Sequence, residues 1–128
     1  MRWLLDTNVI IDAFAGRTDA VATLTKARLA SLEWVGFSSI TRLEILGFSA
    51  LTTADDKGLR ALLAEFNEAL ITPAVIDEAI NIRKAVRMKT PDAIIAATAL
   101  VHQAQIVSRN TDDFKRVPSL RVIDTASL

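Results

Sequence analysis

The sequence predicts a three-layer α/β/α domain around a central, mostly parallel sheet of four to five strands. Three observations carry that expectation. Short apolar runs, among them Trp3-Leu4-Leu5, Trp34-Val35-Gly36-Phe37 and Gln105-Ile106-Val107-Ser108, recur along the chain. The stretches between them carry helical periodicity, and strands alternating with helices build a parallel sheet covered on both faces. At 128 residues, 51% hydrophobic and 23% charged, the chain has the size and composition of one globular domain with a substantial core.

Each element follows from local chemistry. The first strand, Trp3-Leu4-Leu5, runs into Asp6-Thr7-Asn8. A short helix from Thr7 to about Ala15 follows, stopped by Gly16. Thr18-Asp19 caps a helix expected from about Ala20 to Leu32, with Val21, Leu24 and Ala27 on one side. Trp34 to Phe37 is strand-like. Ser39 suits the cap of a helix from Ile40 to Leu46, and Gly47 can continue that helix at a cost of about 1 kcal/mol. Thr52 to Asp56 opens the next helix, whose stripe is Leu59, Leu62, Leu63, Phe66 and Leu70. Leu70-Ile71-Thr72 reads as a brief strand ended by Pro73, and Val75, Ala79, Ile82 and Val86 stripe another helix. Thr90-Pro91-Asp92 is a strong helix start, with Thr as cap and Pro at the first helical position. From Ala93 to Val101 the chain is apolar except for Thr98, the mark of a buried central helix. Gln105 to Ser108 is the fourth strand. A polar loop with one helical turn follows at Arg109 to Phe114, and Leu120 to Ile123 is the last strand.

Composition narrows the chemistry. There is no Cys and a single His, so a thiolate or multi-His metal site is excluded. Any metal must be held by oxygen, which favours Mg²⁺ or Mn²⁺. Formal net charge is +0, so nucleic-acid binding would need a local basic patch. No apolar run has the length of a membrane span and the first residues lack the apolar stretch of a secretory signal, so a cytoplasmic protein is expected.

Several acids stand where strands end or helices begin. Asp6 ends the first strand, Glu44 lies on the second turn of the helix after the second, Asp92 opens the buried helix, and Asp112 and Asp113 follow the fourth strand. A parallel sheet has its carboxyl ends on one edge, where such folds bind ligands. Taken singly, Asp6 is an adequate helix cap, Glu44 suits an ion pair with Arg42, and Asp92 is a dipole-favoured first-turn acid worth ~0.3–1 kcal/mol. Taken together they require four acids to arrive at one place. Crowded carboxylates repel one another unless a cation neutralises them, and a divalent ion so held activates water for attack on phosphorus. His102 lies about three turns beyond Asp92, roughly 15 Å away, and is read as structural.

These pieces resemble the PIN-domain ribonucleases, most closely the VapC toxins of toxin–antitoxin pairs. The resemblance rests on Leu5-Asp6-Thr7-Asn8-Val9-Ile10-Ile11-Asp12, Ser39-Ile40-Thr41-Arg42-Leu43-Glu44-Ile45-Leu46-Gly47, Thr90-Pro91-Asp92-Ala93-Ile94-Ile95-Ala96-Ala97-Thr98-Ala99 and Val107-Ser108-Arg109-Asn110-Thr111-Asp112-Asp113-Phe114, in the family's order and from end to end. It implies a PIN fold and endoribonuclease activity with Mg²⁺, Mn²⁺ substituting. It also implies catalytic and metal-binding roles for Asp6, Glu44 and Asp92. The fourth acidic position departs from the pattern: Asn110 stands where many relatives have an acid, with Asp113 three residues later, so Asp113 is expected as ligand and Asp112 to point outward. Asn8 and Ser108 or Thr111 match small polar positions expected to hold the carboxylates, and Asn110 is expected to support Asp113. Asp12 matches a frequent family residue that reads equally well as surface. A VapB-type antitoxin and a homodimer are the implied partners. The stripe from 59 to 70 and the apolar residues near Leu46, Phe48 and Leu51 are the expected contact surface.

Arg83, Lys84, Arg87 and Lys89 precede Asp92, and the first three would share a helix face. They are the candidate RNA phosphate contacts, with Arg109 and Lys115-Arg116 extending the patch; a solvated helix face is the plain alternative. Trp3 and Trp34, on strands, are expected in the core. A response-regulator receiver would want paired acids after the first strand and a phosphoacceptor Asp after the third, where Thr72-Pro73 stands. A haloacid-dehalogenase-type phosphatase would want an Asp where Asn8 is. A catalytically silent PIN-fold interaction module is the remaining alternative, opposed by the retention of Asp6, Glu44 and Asp92.

Overall fold

The computed structural model describes all 128 residues. Five parallel strands form one sheet in the order β3-β2-β1-β4-β5. They are β1 (Arg2–Leu5), β2 (Trp34–Ser38), β3 (Asn67–Ala69), β4 (Gln105–Ser108) and β5 (Val122–Asp124). The helices are α1 (Thr7–Phe14), α2 (Thr18–Leu29), α3 (Ser39–Leu46), α4 (Thr53–Leu63), α5 (Pro73–Ala85), α6 (Thr90–Val101) and α7 (Thr111–Lys115).

Alternation along a strand sends neighbours to opposite faces, and β1 and β4 use it fully. Leu4 and Ile106 join a core with Val75, Ala79 and Ile82 of α5, the buried face of α6, and Phe114. Leu5 and Val107 join a second core with Val9 and Ile10 of α1, Leu24 of α2, Ile45 of α3, and Leu59 and Leu63 of α4. Each of the four strand side chains is fully buried, worth about 1.5–3 kcal/mol apiece. The three expected layers are present, and the sheet is wholly parallel.

Tertiary packing overrode several local readings. The second helix begins at Thr18 with Arg17 at its cap and stops at Leu29. Its inward face is Ala20, Thr23, Leu24 and Ala27, while Val21 is exposed. The cap of α3 is Ser38, which accepts from Ile40 N–H at 3.2 Å, and Gly47 ends that helix. The stripe of α4 closes at Leu63. Phe66 lies in the turn beyond it, and the third strand forms at Asn67–Ala69, with Leu70, Ile71 and Thr72 outside. Pairing decides this: Gly36, Phe37 and Ser38 of β2 register with Asn67, Glu68 and Ala69. In α6 the cap is Lys89, so Thr90 is already helical. The last strand starts two residues late, at Val122.

Glycines act at two points. Gly16 takes φ +85° and turns the chain from α1 to α2. A Cβ on Gly36 would sit 2.5 Å from the Trp34 ring and 2.6 Å from the Asn67 carbonyl, so only a residue without one fits there.

Candidate active site

In the order β3-β2-β1-β4-β5 the connections reverse direction between β1 and β4. The carboxyl end of that junction is where open α/β sheets form a crevice. Asp6 leaves β1 there and Ser108 ends β4 beside it.

Asp6 is buried, 5% exposed, and its backbone N–H donates to the Val107 carbonyl at 3.0 Å. Its extended backbone makes it the cap of α1. Thr7 N–H donates to Asp6 Oδ1 at 2.8 Å, and the Ser108 hydroxyl donates to Oδ2 at 2.7 Å. Asn110 N–H in turn donates to Ser108 Oγ at 2.9 Å. Thus the cap and the candidate ligand are one residue. Burial pushes the Asp6 carboxyl up to about 6, the Ser108 and Thr7 donors pull it down, and the charges of Asp92 and Glu44 push it further up. The carboxyl of Asp92, half-buried on the first turn of α6, is also raised, by burial first and then by the charge of Asp113. Asp6, Glu44, Asp92 and Asp113 therefore form a chain of electrostatic neighbours at one edge of the sheet.

Glu44 is exposed rather than set among apolar neighbours. The Thr7 hydroxyl donates to Glu44 Oε1 at 3.1 Å and lies 2.9 Å from the buried Thr41 hydroxyl. The plain alternative for Glu44, an ion pair with Arg42, does not form: Arg42 binds Glu68 at 2.8 Å. Asp113 is half-buried: Asn110 Nδ2 donates to its Oδ2 at 2.9 Å, and Arg116 lies 3.3 Å from its Oδ1. Asp112 is exposed, as expected. Ser108 and Asn110 donate to the carboxylates of Asp6 and Asp113. Asn8 and Thr111 do not: Asn8 Oδ1 is buried without a partner, and Thr111, the first residue of α7, makes no side-chain hydrogen bond to an acid.

A cleft of about 520 Å³ opens beside Asp92 and Asp113, lined also by Asn110, Arg83, Arg87, Lys89 and Arg116. Carboxylates and cations thus face each other across one opening, while Asp6 and Glu44 lie outside its lining. Arg83, Lys84 and Arg87 do not share a helix face. The fifth helix ends at Ala85 and Val86 turns extended, so Arg87 is presented from the following segment. All three line a neighbouring recess of about 360 Å³, but Lys84 does not reach the cleft. Arg109 is drawn away to Asp12 at 3.4 Å, which ties α1 to the loop after β4.

Three contacts were missed in the sequence: Thr7 to Glu44, Thr41 to Thr7, and Asp12 to Arg109. Thr41 carried a signal, since it is a hydroxyl on the inward face of α3 one turn before Glu44. The Asp12–Arg109 pair joins residues far apart in the chain and had none. His102 stacks on Trp34, ring centroids 4.9 Å apart and planes within 9°. Burial, then the charge of Arg2, lowers its pKa, and both tryptophans are structural.

The donors are hard oxygens throughout, which suits a divalent cation. Even so, no three of the acids are gathered into a compact ligand set.

A family model described as PIN domain matches residues 3–120. The chain is similar to a solved structure of a toxin–antitoxin complex from Klebsiella pneumoniae, with 33% identity over 95% of this chain and 96% of that one, and a TM-score of 0.80. It is similar to FitAcB from Neisseria gonorrhoeae at 27% identity over 98% and 99%, TM-score 0.78. VapBC-1 from nontypeable Haemophilus influenzae shares the fold at 21% identity over 98% and 99%, TM-score 0.81. Comparison with curated proteins finds no match.

Proposed function

The chain belongs to the PIN-domain family, and from that premise we propose that it is a divalent-metal-dependent endoribonuclease, the toxin of a VapBC-type pair acting in the cytoplasm. The observation that carries the proposal is geometric: Thr7 and Ser108 hold the Asp6 carboxylate at the switch point of the sheet, and Asp92 and Asp113 line a cationic cleft.

The roles follow from position. Asp6, Glu44, Asp92 and Asp113 are the residues that would hold Mg²⁺, or Mn²⁺ in its place. Mg²⁺ keeps several waters and is bound through one or two carboxylates, so acids spread wider than a closed shell still fit it. When bound, the cation neutralises the carboxylates and activates water for attack on phosphorus. Ser108, held by Asn110 N–H, and Thr7 N–H fix both oxygens of Asp6. The Thr7 hydroxyl aims Glu44. Arg83, Arg87 and Lys89 take RNA phosphates across the cleft, where Arg116 pairs with Asp113 at 3.3 Å.

The Klebsiella relative is part of a toxin–antitoxin complex, and a VapB-type antitoxin is the corresponding partner proposed here, with a homodimer as the assembled toxin. The surface expected for these contacts needs correction. Leu59 and Leu63 are buried in the core, and Leu46 and Leu51 pack against it. Leu43, Phe48 and Leu70 are 66%, 62% and 64% exposed, so these are the apolar side chains of that surface open to a partner.

A second reading, a catalytically silent interaction module, is favoured by the absence of a compact three-acid ligand set. One experiment separates the two. The purified protein is expected to cleave RNA, to stop with EDTA and to resume with Mn²⁺, while Asp92→Asn stays folded and loses at least ~100-fold in rate. Cleavage indifferent to chelator, or an active Asp92→Asn protein, sinks the site assignment. A folded parent with no Mn²⁺ binding selects the silent module.

A further inference from the structure

The chain has ten arginines, and six are held by carboxylates: Arg17, Arg28, Arg42, Arg60, Arg109 and Arg116. The other four fall into two pairs. Arg83 and Arg87 line the cleft beside Asp92. Arg2 and Arg121 line a different cavity of about 510 Å³, at the amino edge of the sheet and thus at the opposite end from the acids. No carboxylate lines that cavity.

We propose that the amino-edge cavity between Arg2, Gln105 and Arg121 is a binding site for a phosphate monoester. Strand register brings the three together. Trp3 pairs with Gln105 and Ile106 with Val122, so Arg2, Gln105 and Arg121 stand at the same end of the adjacent strands β1, β4 and β5. The Arg121 carbonyl accepts from Ile106 N–H at 2.9 Å, which anchors its backbone to β4. The Arg2 guanidinium carbon lies 5.3 Å from the centre of the Trp34 ring, and Trp34 is itself stacked on His102. This cation–π contact holds the guanidinium in place before any ligand arrives.

Two polar atoms here are left over. Arg2 Nε and Gln105 Oε1 are both buried without a hydrogen-bond partner, whereas buried polar groups are normally satisfied. The cavity itself is lined by two guanidiniums and the Gln105 amide, and it suits an anion that accepts from all three. A phosphate monoester has three terminal oxygens for these three donors, where a carboxylate has two. The volume also leaves room for the organic group of the ester, flanked by Leu100 and Gln103.

The phosphate can belong to a free mononucleotide or to the phosphorylated end of an RNA. The test is calorimetric titration of the untagged protein, in EDTA to prevent cleavage, with inorganic phosphate, 5′-AMP and a short 5′-phosphorylated oligoribonucleotide. Saturable binding is expected, weakened about tenfold by Arg121→Gln. Arg121 is exposed, so this variant keeps the fold. Arg2→Lys retains the charge but not the planar fork and is also expected to weaken binding. An oligonucleotide bound at least about tenfold tighter than 5′-AMP identifies an RNA end, and equal affinity identifies a free nucleotide. The proposal is overturned if nothing saturates up to about 10 mM. It is equally overturned if Arg121→Gln and Arg2→Lys both bind like the parent, or if binding is lost only on changing Arg83 and Arg87.

Discussion

Replacing Asp6 with Asn should make the metal-free protein more stable while destroying its activity. Asp6 is an acid kept in a place that disfavours its charge. Its carboxyl rises from 3.8 to about 6 on folding, chiefly through burial. Below pH 3.8 the carboxyl is protonated in both states and costs nothing. As pH climbs from 3.8 toward 6, the unfolded chain ionises first and stability falls. Above the folded value both states are ionised and the loss is complete, about 3 kcal/mol at ~1.4 kcal/mol per pH unit. Asn is neutral throughout and escapes that penalty. It still accepts from Thr7 N–H, but it cannot take the Ser108 hydroxyl bond in the same sense, a loss of about 1 kcal/mol. The net gain at pH 7.5 is therefore about 2 kcal/mol, or roughly 5–10 °C in Tm for a chain of this size. Scanning calorimetry of parent and Asp6→Asn in EDTA at pH 7.5 and pH 4 measures it. The advantage of Asn should be present at the higher pH and gone at the lower. Adding Mn²⁺ should then raise the parent's Tm and leave Asp6→Asn behind. A difference between the two proteins that is the same at both pH values would refute the account of Asp6 as a buried, destabilising carboxylate.

Three further outcomes follow from the same geometry. Arg83→Ala and Arg87→Ala should each flatten the salt dependence of RNA binding by about one phosphate contact; Lys84→Ala should leave the slope alone, and an effect of Lys84 equal to theirs would contradict the placement of the cleft. Thr7→Val should lower cleavage by roughly 10-fold or more through Glu44 and cost about 1–3 kcal/mol by stranding the Thr41 hydroxyl, with Thr7→Ser restoring both; parental activity in Thr7→Val would release Thr7 from any positioning role. Gly36→Ala should lower the urea midpoint by the equivalent of roughly 3 kcal/mol, the upper range for overpacking, because its Cβ would meet Trp34 and the Asn67 carbonyl; an unchanged midpoint would mean that β2 and β3 separate freely.

What the amino-acid sequence determined by itself was everything that local chemistry can settle. Apolar runs ending in polar residues marked β1, β2 and β4, and an alternation of strands with helices entails a parallel sheet with one carboxyl edge. That edge, with the motifs around Asp6, Glu44, Asp92 and Asp113, made a candidate site readable from the chain alone. Boundaries and facings were decided elsewhere. The third strand formed at Asn67–Ala69 rather than on the more apolar Leu70-Ile71-Thr72, because backbone pairing with β2 outweighs the propensity of three residues. Val21 faces outward and Ala20 inward because α2 must pack against α1, whose position no periodicity within α2 encodes. Arg87 left the helical face of Arg83 and Lys84 because α5 ended at Ala85. Glu44 is held by Thr7, and Asp12 by Arg109, across separations that only closure of the sheet removes. The exposure of Glu44 and the burial of Asp6 have the same origin. Glu44 lies on the second turn of α3, whereas Asp6 stands at the junction of β1 and β4, where two strands and α1 close over it.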